Sequence, residues 1–248
     1  MTNVEALGEE GRGAGGAVHG DGAAPRRIVV INPNSNERVT GDIDRAVEAF
    51  RFADGPRIDC VTLAEGPPGV ESQRDVEAVA LPLSRLIQEL APQSDAFVIA
   101  CFSDPGLALA RETTERPVFG IAESGLLAAL NFGTRIGIIS ILDRSIPRHL
   151  RYVRALGLEG RLAGDLAINV GVAGLADEDA VLHRMVQTGR RLIDERDADV
   201  LVMGCAGMAR YREALEDTLG VPVIDPTQAA VAAAVMAVQT GCGGGMTR

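Results

Sequence analysis

The sequence has no tryptophan and only two tyrosines, so it has few side chains for stacking on nucleic-acid bases or long sugars. Basic residues are also in the minority, 24 against 34 acidic ones, which gives a formal net charge of −10. This balance argues against nucleic acid or an anionic membrane surface as a partner. No apolar run approaches the roughly 18 residues of a membrane span. We therefore expect a small-molecule partner, with no nucleic-acid or membrane partner.

Cysteine and histidine are scarce, with four and three residues. The cysteines are not closely paired and no apolar targeting segment stands at the start, so we expect free thiols in a reducing cytoplasm. No spacing matches a set of metal ligands, and we expect no metal. We interpret Cys60 as a core residue, Cys242 as an inert exposed thiol, and the histidines as surface residues: His19, His149 and His183.

One apolar segment, residues 95–106, ends abruptly in a cysteine. Its residues 97–100 are typical of a buried strand, after which Asp104 suits a helix N-cap and Pro105 the first helical position. The pattern places Cys101 at the carboxyl end of a strand, facing the amino end of the next helix. Backbone N–H groups and the helix dipole favour a thiolate there, so we expect a lowered pKa for the Cys101 thiol.

The same pattern recurs about a hundred residues later, where Asp199 again stands six places before Cys205. The segment that begins at Pro117 matches the one at Pro222, and the strand at Arg27 matches the one at Arg135. Three matches in order at nearly one spacing predict two copies of one α/β unit. The two halves should be related by a pseudo-twofold axis, and each should present one cysteine.

Strands alternate with amphipathic helices in both copies, which predicts an α/β fold with mainly parallel sheets flanked by helices. We place the first half at residues 26–130 and the second at 131–240, with a C-terminal helix that can cross over to the first half. Residues 1–25 lack periodicity and are predicted to be a disordered tail, and residues 241–248 a second tail.

Ligands of open α/β sheets bind beyond the carboxyl ends of the strands, where the polar loop with Asn34 and Ser35 and both cysteines should lie. A thiolate and a thiol on opposite faces of one carbon can remove a proton and return it with inversion. Backbone N–H groups after each cysteine, together with the loop at Asn34, could stabilise the enolate oxygen. Gly204 and Gly207 would permit close approach of the backbone to the ligand.

Residues 27–238 resemble the hydantoin racemase branch of the aspartate/glutamate racemase superfamily. The motifs that carry the resemblance are Ile31-Asn-Pro-Asn-Ser35, Cys101-Phe-Ser-Asp-Pro-Gly-Leu107, Gly120-Ile-Ala-Glu123, Gly204-Cys-Ala-Gly-Met208 and Val221-Pro-Val-Ile-Asp225. The resemblance implies cofactor-independent racemisation of a 5-substituted hydantoin or allantoin, with Cys101 and Cys205 as the acid/base pair. It also implies a substrate pocket built from Asn34, Ser35, Phe102, Ser103, Gly204, Ala206 and Gly207.

Ser103 and Pro226 depart from the family pattern, which leaves the substrate open. Alternatives with the same fold are an amino-acid racemase, a decarboxylase, or a maleate-type cis/trans isomerase in which one cysteine attacks carbon. A non-catalytic ligand-binding protein is the alternative from another class. No arginine stands in the predicted pocket loops, which favours an uncharged ring, although Arg38 or Arg144 could reach the pocket. We also expect a homo-oligomer.

Overall fold

The computed structural model describes residues 26–243. The predicted disordered tail at residues 1–25, which contains His19, lies outside the described residues, as do residues 244–248 of the second tail. Within the described chain, every helix is too short or too polar to cross a membrane.

Strands and helices alternate along both halves of the chain. The first half contains β1 (Arg27–Asn32), α1 (Glu37–Ala46), β2 (Arg57–Thr62), α2 (Gln73–Leu90), β3 (Ala96–Ile99), α3 (Leu107–Thr113), β4 (Val118–Gly120) and α4 (Ile121–Ala129). The second half contains β5 (Ile136–Ser140), α5 (Ile146–Ala155), β6 (Leu162–Ala167), α6 (Glu178–Arg196), β7 (Val200–Met203), α7 (Arg212–Leu219), β8 (Val223–Ile224) and α8 (Pro226–Thr240).

The strands form two four-stranded parallel sheets with the same topology. The first has the order β2-β1-β3-β4 and the second the order β6-β5-β7-β8. The central strands are buried on both faces, because helices cover both sides of each parallel sheet. The predicted α/β fold with two similar halves is confirmed.

Helices α4 and α8 join the two halves. Helix α8 contacts β1, β3 and β4 of the first sheet, whereas α4 contacts β7 and β8 of the second, and the two helices pack on each other. A Cβ atom on Gly125 would lie 2.7 Å from Cβ of Pro226, so the glycine permits this close packing. Each half therefore completes the core of the other, and the loops after the strands are held at a shared interface.

The helix start predicted after Cys101 is wrong. Helix α3 begins at Leu107, after Gly106 in the left-handed region with φ of 64°. The Asp104 carboxylate instead accepts hydrogen bonds from the backbone N–H groups of Ala122 and Glu123, at 2.9 and 2.8 Å. Asp104 therefore caps α4, a helix that starts 17 residues further along the chain, since a helix amino end accepts a carboxylate from any part of the fold that reaches it.

Candidate active site

Both predicted catalytic cysteines line one narrow cavity of about 30 Å³, between loops that follow strands of the two sheets. The predicted residues on its wall are Asn34, Cys101, Phe102, Ser103, Gly204, Cys205, Ala206 and Gly207. Ser35 is the exception: it is not on the wall, and its backbone N–H donates to the Pro67 carbonyl at 2.9 Å. The topology thus brings together residues that are about a hundred positions apart in sequence.

The Cys101 thiol is half-buried and follows the end of β3. Burial raises its pKa to about 11, and the nearby Asp104 carboxylate acts in the same direction. A hydrogen bond from the Ser103 backbone N–H and the charge of Arg148 favour the thiolate and limit the increase.

The Cys205 thiol occupies the equivalent place after β7. Its pKa is raised to about 12, mainly by burial and also by the charges of Cys101, Glu71 and Asp225, while a hydrogen bond from the Gly207 backbone N–H acts in the opposite direction. The lowered thiol pKa expected at Cys101 is therefore wrong. Burial of the thiol outweighs the backbone N–H group of Ser103, which favours the thiolate.

The glycines beside Cys205 bring protein segments together. A Cβ atom on Gly204 would lie 2.8 Å from the carbonyl oxygen of Ile139 and 3.0 Å from Cα of Ser140. A Cβ atom on Gly207 would lie 3.1 Å from Cδ1 of Leu175. Close packing against the end of β5 therefore explains the glycine at position 204. The sequence had suggested a different reason, close approach of the backbone to a ligand.

Asn34 is held by its neighbours in the loop after β1. Its Oδ1 atom accepts from Nδ2 of Asn32 at 3.0 Å and from the backbone N–H of Asn36 at 2.9 Å. Its Nδ2 group makes no hydrogen bond within residues 26–243. Because Asn34 is on the cavity wall, this amide is a donor available to a ligand.

The prediction that His149 is a surface residue is wrong, since only 4% of it is exposed. Its Nδ1 atom lies 2.9 Å from a carboxylate oxygen of Asp165 and 3.1 Å from Oγ of Ser140. Its ring packs edge-on against Phe102, with centroids 5.2 Å apart, and lines the cavity. The helical spacing of the sequence could have indicated this burial, because His149 and the buried Val153 lie four residues apart on one face of α5. His183 is exposed, as predicted.

Sequence reasoning also missed Arg148, which lines the cavity from α5 and is 9% exposed. Its Nε group donates to Oγ of Ser103 at 2.9 Å, and Nη2 donates to Oγ of Ser145 at 3.3 Å. The two arginines considered from the sequence lie elsewhere: Arg144 is exposed and pairs with Glu71, and Arg38 is exposed and not on the cavity wall. The cavity therefore has an arginine, which comes from helix α5 and is neither of the two that the sequence suggested.

The remaining cysteines lie off the cavity wall. Cys60 is partly buried and packs against the core from β2, and Cys242 is exposed, as predicted for both. In the part of the chain that the structure describes, no three His, Cys, Asp or Glu side chains are grouped so that they could hold a metal ion.

A family model described as Asp/Glu/Hydantoin racemase matches residues 28–234. A hydantoin racemase from Paenarthrobacter aurescens is 37% identical over 219 residues, which cover 87% of this chain and 92% of that protein. An allantoin racemase structure from Klebsiella pneumoniae is 33% identical with a TM-score of 0.83 and covers 87% of this chain and 89% of its own. An allantoin racemase structure from Pseudomonas fluorescens, 28% identical, has the same TM-score and covers 87% and 92%. The chain therefore belongs to the Asp/Glu/Hydantoin racemase family and is an isomerase of the racemase type.

Proposed function

We propose that this protein inverts the stereocentre of a 5-substituted hydantoin or of allantoin, with Cys101 and Cys205 acting from opposite faces of the reacting carbon. The observation that carries the proposal is the placement of two thiols on one narrow cavity, each at the end of an equivalent strand in its half. Relatives and structural neighbours described as hydantoin and allantoin racemases support the choice of substrate class.

The reaction requires one thiolate and one thiol. The thiolate takes the proton from C5 of the ring, which breaks a C–H bond and forms an S–H bond, and the electron pair moves to the adjacent carbonyl oxygen. The opposite thiol then returns a proton to C5 and becomes the thiolate. The two cysteines have exchanged protonation states, and the ring has the opposite configuration.

The cavity wall offers support for both charges of this reaction. The Nδ2 group of Asn34 is a free donor for the enolate oxygen. The backbone N–H groups of Ser103 and Gly207 donate to the two sulfurs and stabilise whichever is the thiolate. Since burial raises the pKa of both thiols, both are mainly protonated at neutral pH, and one must ionise before it acts as a base.

The test is hydrogen exchange at C5 in D₂O, followed by NMR together with loss of optical rotation, for L- and D-5-substituted hydantoins and for allantoin. Wild-type protein should racemise a substrate with deuterium incorporation. Cys101→Ser and Cys205→Ser should each lower racemisation by about 10³-fold, the range for loss of an acid/base group. Each variant should keep exchange from one enantiomer only, and the enantiomer should differ between the two.

Cys242→Ser is the matched control, because it removes an exposed thiol that is not on the cavity wall. It should leave racemisation unchanged. Full racemase activity in either cavity variant would refute the two-cysteine mechanism. Binding of hydantoins by wild-type protein without exchange at any of them would favour the non-catalytic alternative.

A further inference from the structure

Arg148 is a buried cation whose hydrogen-bond partners are both neutral hydroxyl groups, those of Ser103 and Ser145. Among the ion pairs of residues 26–243, none includes Arg148. Its Nη1 group makes no hydrogen bond to the described chain. A guanidinium in this position has N–H donors left for a further partner.

Placing such a charge away from water without an anion is costly. Burial lowers the pKa of Arg148 from its usual value, and the neighbouring charges of Arg151 and Arg144 lower it further. The Cys101 thiolate and Asp75 act in the opposite direction. Since the Cys101 thiol is mainly protonated at neutral pH, it supplies no negative charge to Arg148 in the resting site.

Arg148 lies on a wall that the cysteine cavity shares with an adjoining cleft of about 230 Å³. Phe102, Ser103 and His149 line both spaces as well. The outer part of the cleft is lined by Gln73, Val76, Arg151, Tyr152 and Ala155. Nη2 of Arg151 donates to Oε1 of Gln73 at 2.8 Å, which holds a second guanidinium at the rim. The cleft beside the cysteine cavity is therefore lined by two cations, Arg148 and Arg151.

We propose that Arg148 and this cleft form a subsite for a carboxylate on the substituent of the substrate ring. The inference rests on the proposed function and narrows it to 5-substituted hydantoins with an anionic side chain. The ring itself stays uncharged between the two thiols, while the carboxylate pairs with the guanidinium. An arginine suits this role because its planar group binds a carboxylate through two parallel N–H donors.

The subsite is tested by calorimetric binding of two ligands that differ only in charge, racemic 5-(2-carboxyethyl)hydantoin and its primary amide. Charge-assisted hydrogen bonds predict that wild-type protein binds the carboxylate about 30-fold more tightly than the amide. Arg148→Gln should reduce this preference to less than about threefold, because the neutral side chain binds both ligands alike. Arg148→Lys keeps the charge but not the fork, and should retain a preference of about fivefold.

Arg154→Gln is the matched control, since it removes an equal charge from an exposed position of α5 that pairs with Glu159 and lines neither space. It should keep the wild-type preference. Equal affinity of wild-type protein for the two ligands overturns the proposal. Equal weakening of both ligands by Arg148→Gln also overturns it, because that result assigns Arg148 to the Cys101 thiolate or to packing. If Arg148→Gln does not fold, the wild-type and Arg148→Lys measurements still decide.

Binding does not depend on turnover, so the subsite and the racemase activity can fail separately. If the C5 proton of the amide exchanges in D₂O but both ligands bind with equal affinity, the subsite proposal is refuted and the racemase proposal stands. If the carboxylate binds more tightly than the amide but neither ligand exchanges its C5 proton, the two-cysteine racemase proposal is refuted and the anion subsite is supported.

Discussion

The two halves have the same strand order but different polar groups beneath the equivalent ends of β1 and β5. In the first half, Nδ2 of Asn32 donates to Asn34, to the backbone of Asn36 and to Thr40, all of them neutral groups. In the second half, the matching residue is Ser140, which contacts His149 and Asp165. The repeated backbone thus accepts different chemistry at one place, provided that the buried donors and acceptors are paired.

The halves also cap the equivalent helices α4 and α8 with carboxylates from different positions. In the first half, Asp104 comes from the loop after Cys101, and Gly120 at the end of β4 leaves room for it. In the second half, Met208 occupies the position that corresponds to Asp104 and has no carboxylate. The cap of α8 is instead Asp225, which directly precedes the helix and accepts from the backbone N–H of Thr227 at 2.7 Å. In both halves a carboxylate accepts from the first backbone N–H groups of the helix, and it comes from a different loop in each.

A third difference concerns the charges that act on the two sulfurs. The Asp104 carboxylate disfavours the thiolate of Cys101 and Arg148 favours it, whereas the carboxylates of Glu71 and Asp225 both disfavour the thiolate of Cys205. Two thiols at equivalent places therefore have different charged neighbours, although burial raises the pKa of both. Duplication accounts for the placement of the pair, and side chains outside the repeated motifs account for its asymmetry.

The largest effect is expected from breaking the polar cluster of the second half. Asp165→Ala removes the acceptor shared by His149 and Ser140 and leaves buried donors unpaired, so the free energy of unfolding should fall by about 3 kcal/mol. In the first half, Thr62→Val removes one neutral hydroxyl partner of Thr40 and should cost about 1 kcal/mol. Urea denaturation measures both losses, and an equal cost would show that the two clusters do not differ in energy.

An intermediate effect is expected from filling the space that the Asp104 cap needs. A Cβ atom on Gly120 would lie 2.3 Å from the Asp104 carboxyl group, so Gly120→Ala should displace the cap and lower the free energy of unfolding by about 2 kcal/mol. Gly160→Ala is the control, because a Cβ atom there meets no atom within 4 Å. Thermal unfolding of the two variants compares them, and equal stability would show that the Asp104 cap does not stabilise α4.

The smallest effect is the difference in reactivity between the two thiols. Both pKa values are raised, so thiolate appears as the pH increases, and the Cys101 thiol should ionise first. Because Arg148 favours the Cys101 thiolate, the ratio of the Cys101 thiolate fraction to that of Cys205 should exceed one between pH 7 and 9. Alkylation rates with iodoacetamide, assigned to each cysteine by peptide mass spectrometry, measure this ratio. Faster alkylation of Cys205 would reverse the proposed asymmetry.

The two-fold repeat can be predicted from the sequence because it consists of local residue patterns. A buried strand that ends in Cys101, and another that ends in Cys205, follow from apolar runs and the residues that stop them. The role of Asp104 is not predictable in this way, because it depends on a contact between distant parts of the chain. Its position before Pro105 looks like a local helix start, but its carboxylate reaches α4 through the fold, and no pattern of neighbouring residues shows such a contact.

By itself, the sequence determined that this protein has two α/β halves and that each cysteine follows a buried strand, because strand periodicity and repetition are properties of the chain. Only the tertiary structure decided that Arg148 and His149 face the cavity, and that burial raises the thiol pKa values instead of a helix end lowering them. Both outcomes depend on how elements from different parts of the chain pack together, since burial and charge at a site are sums over neighbours in space.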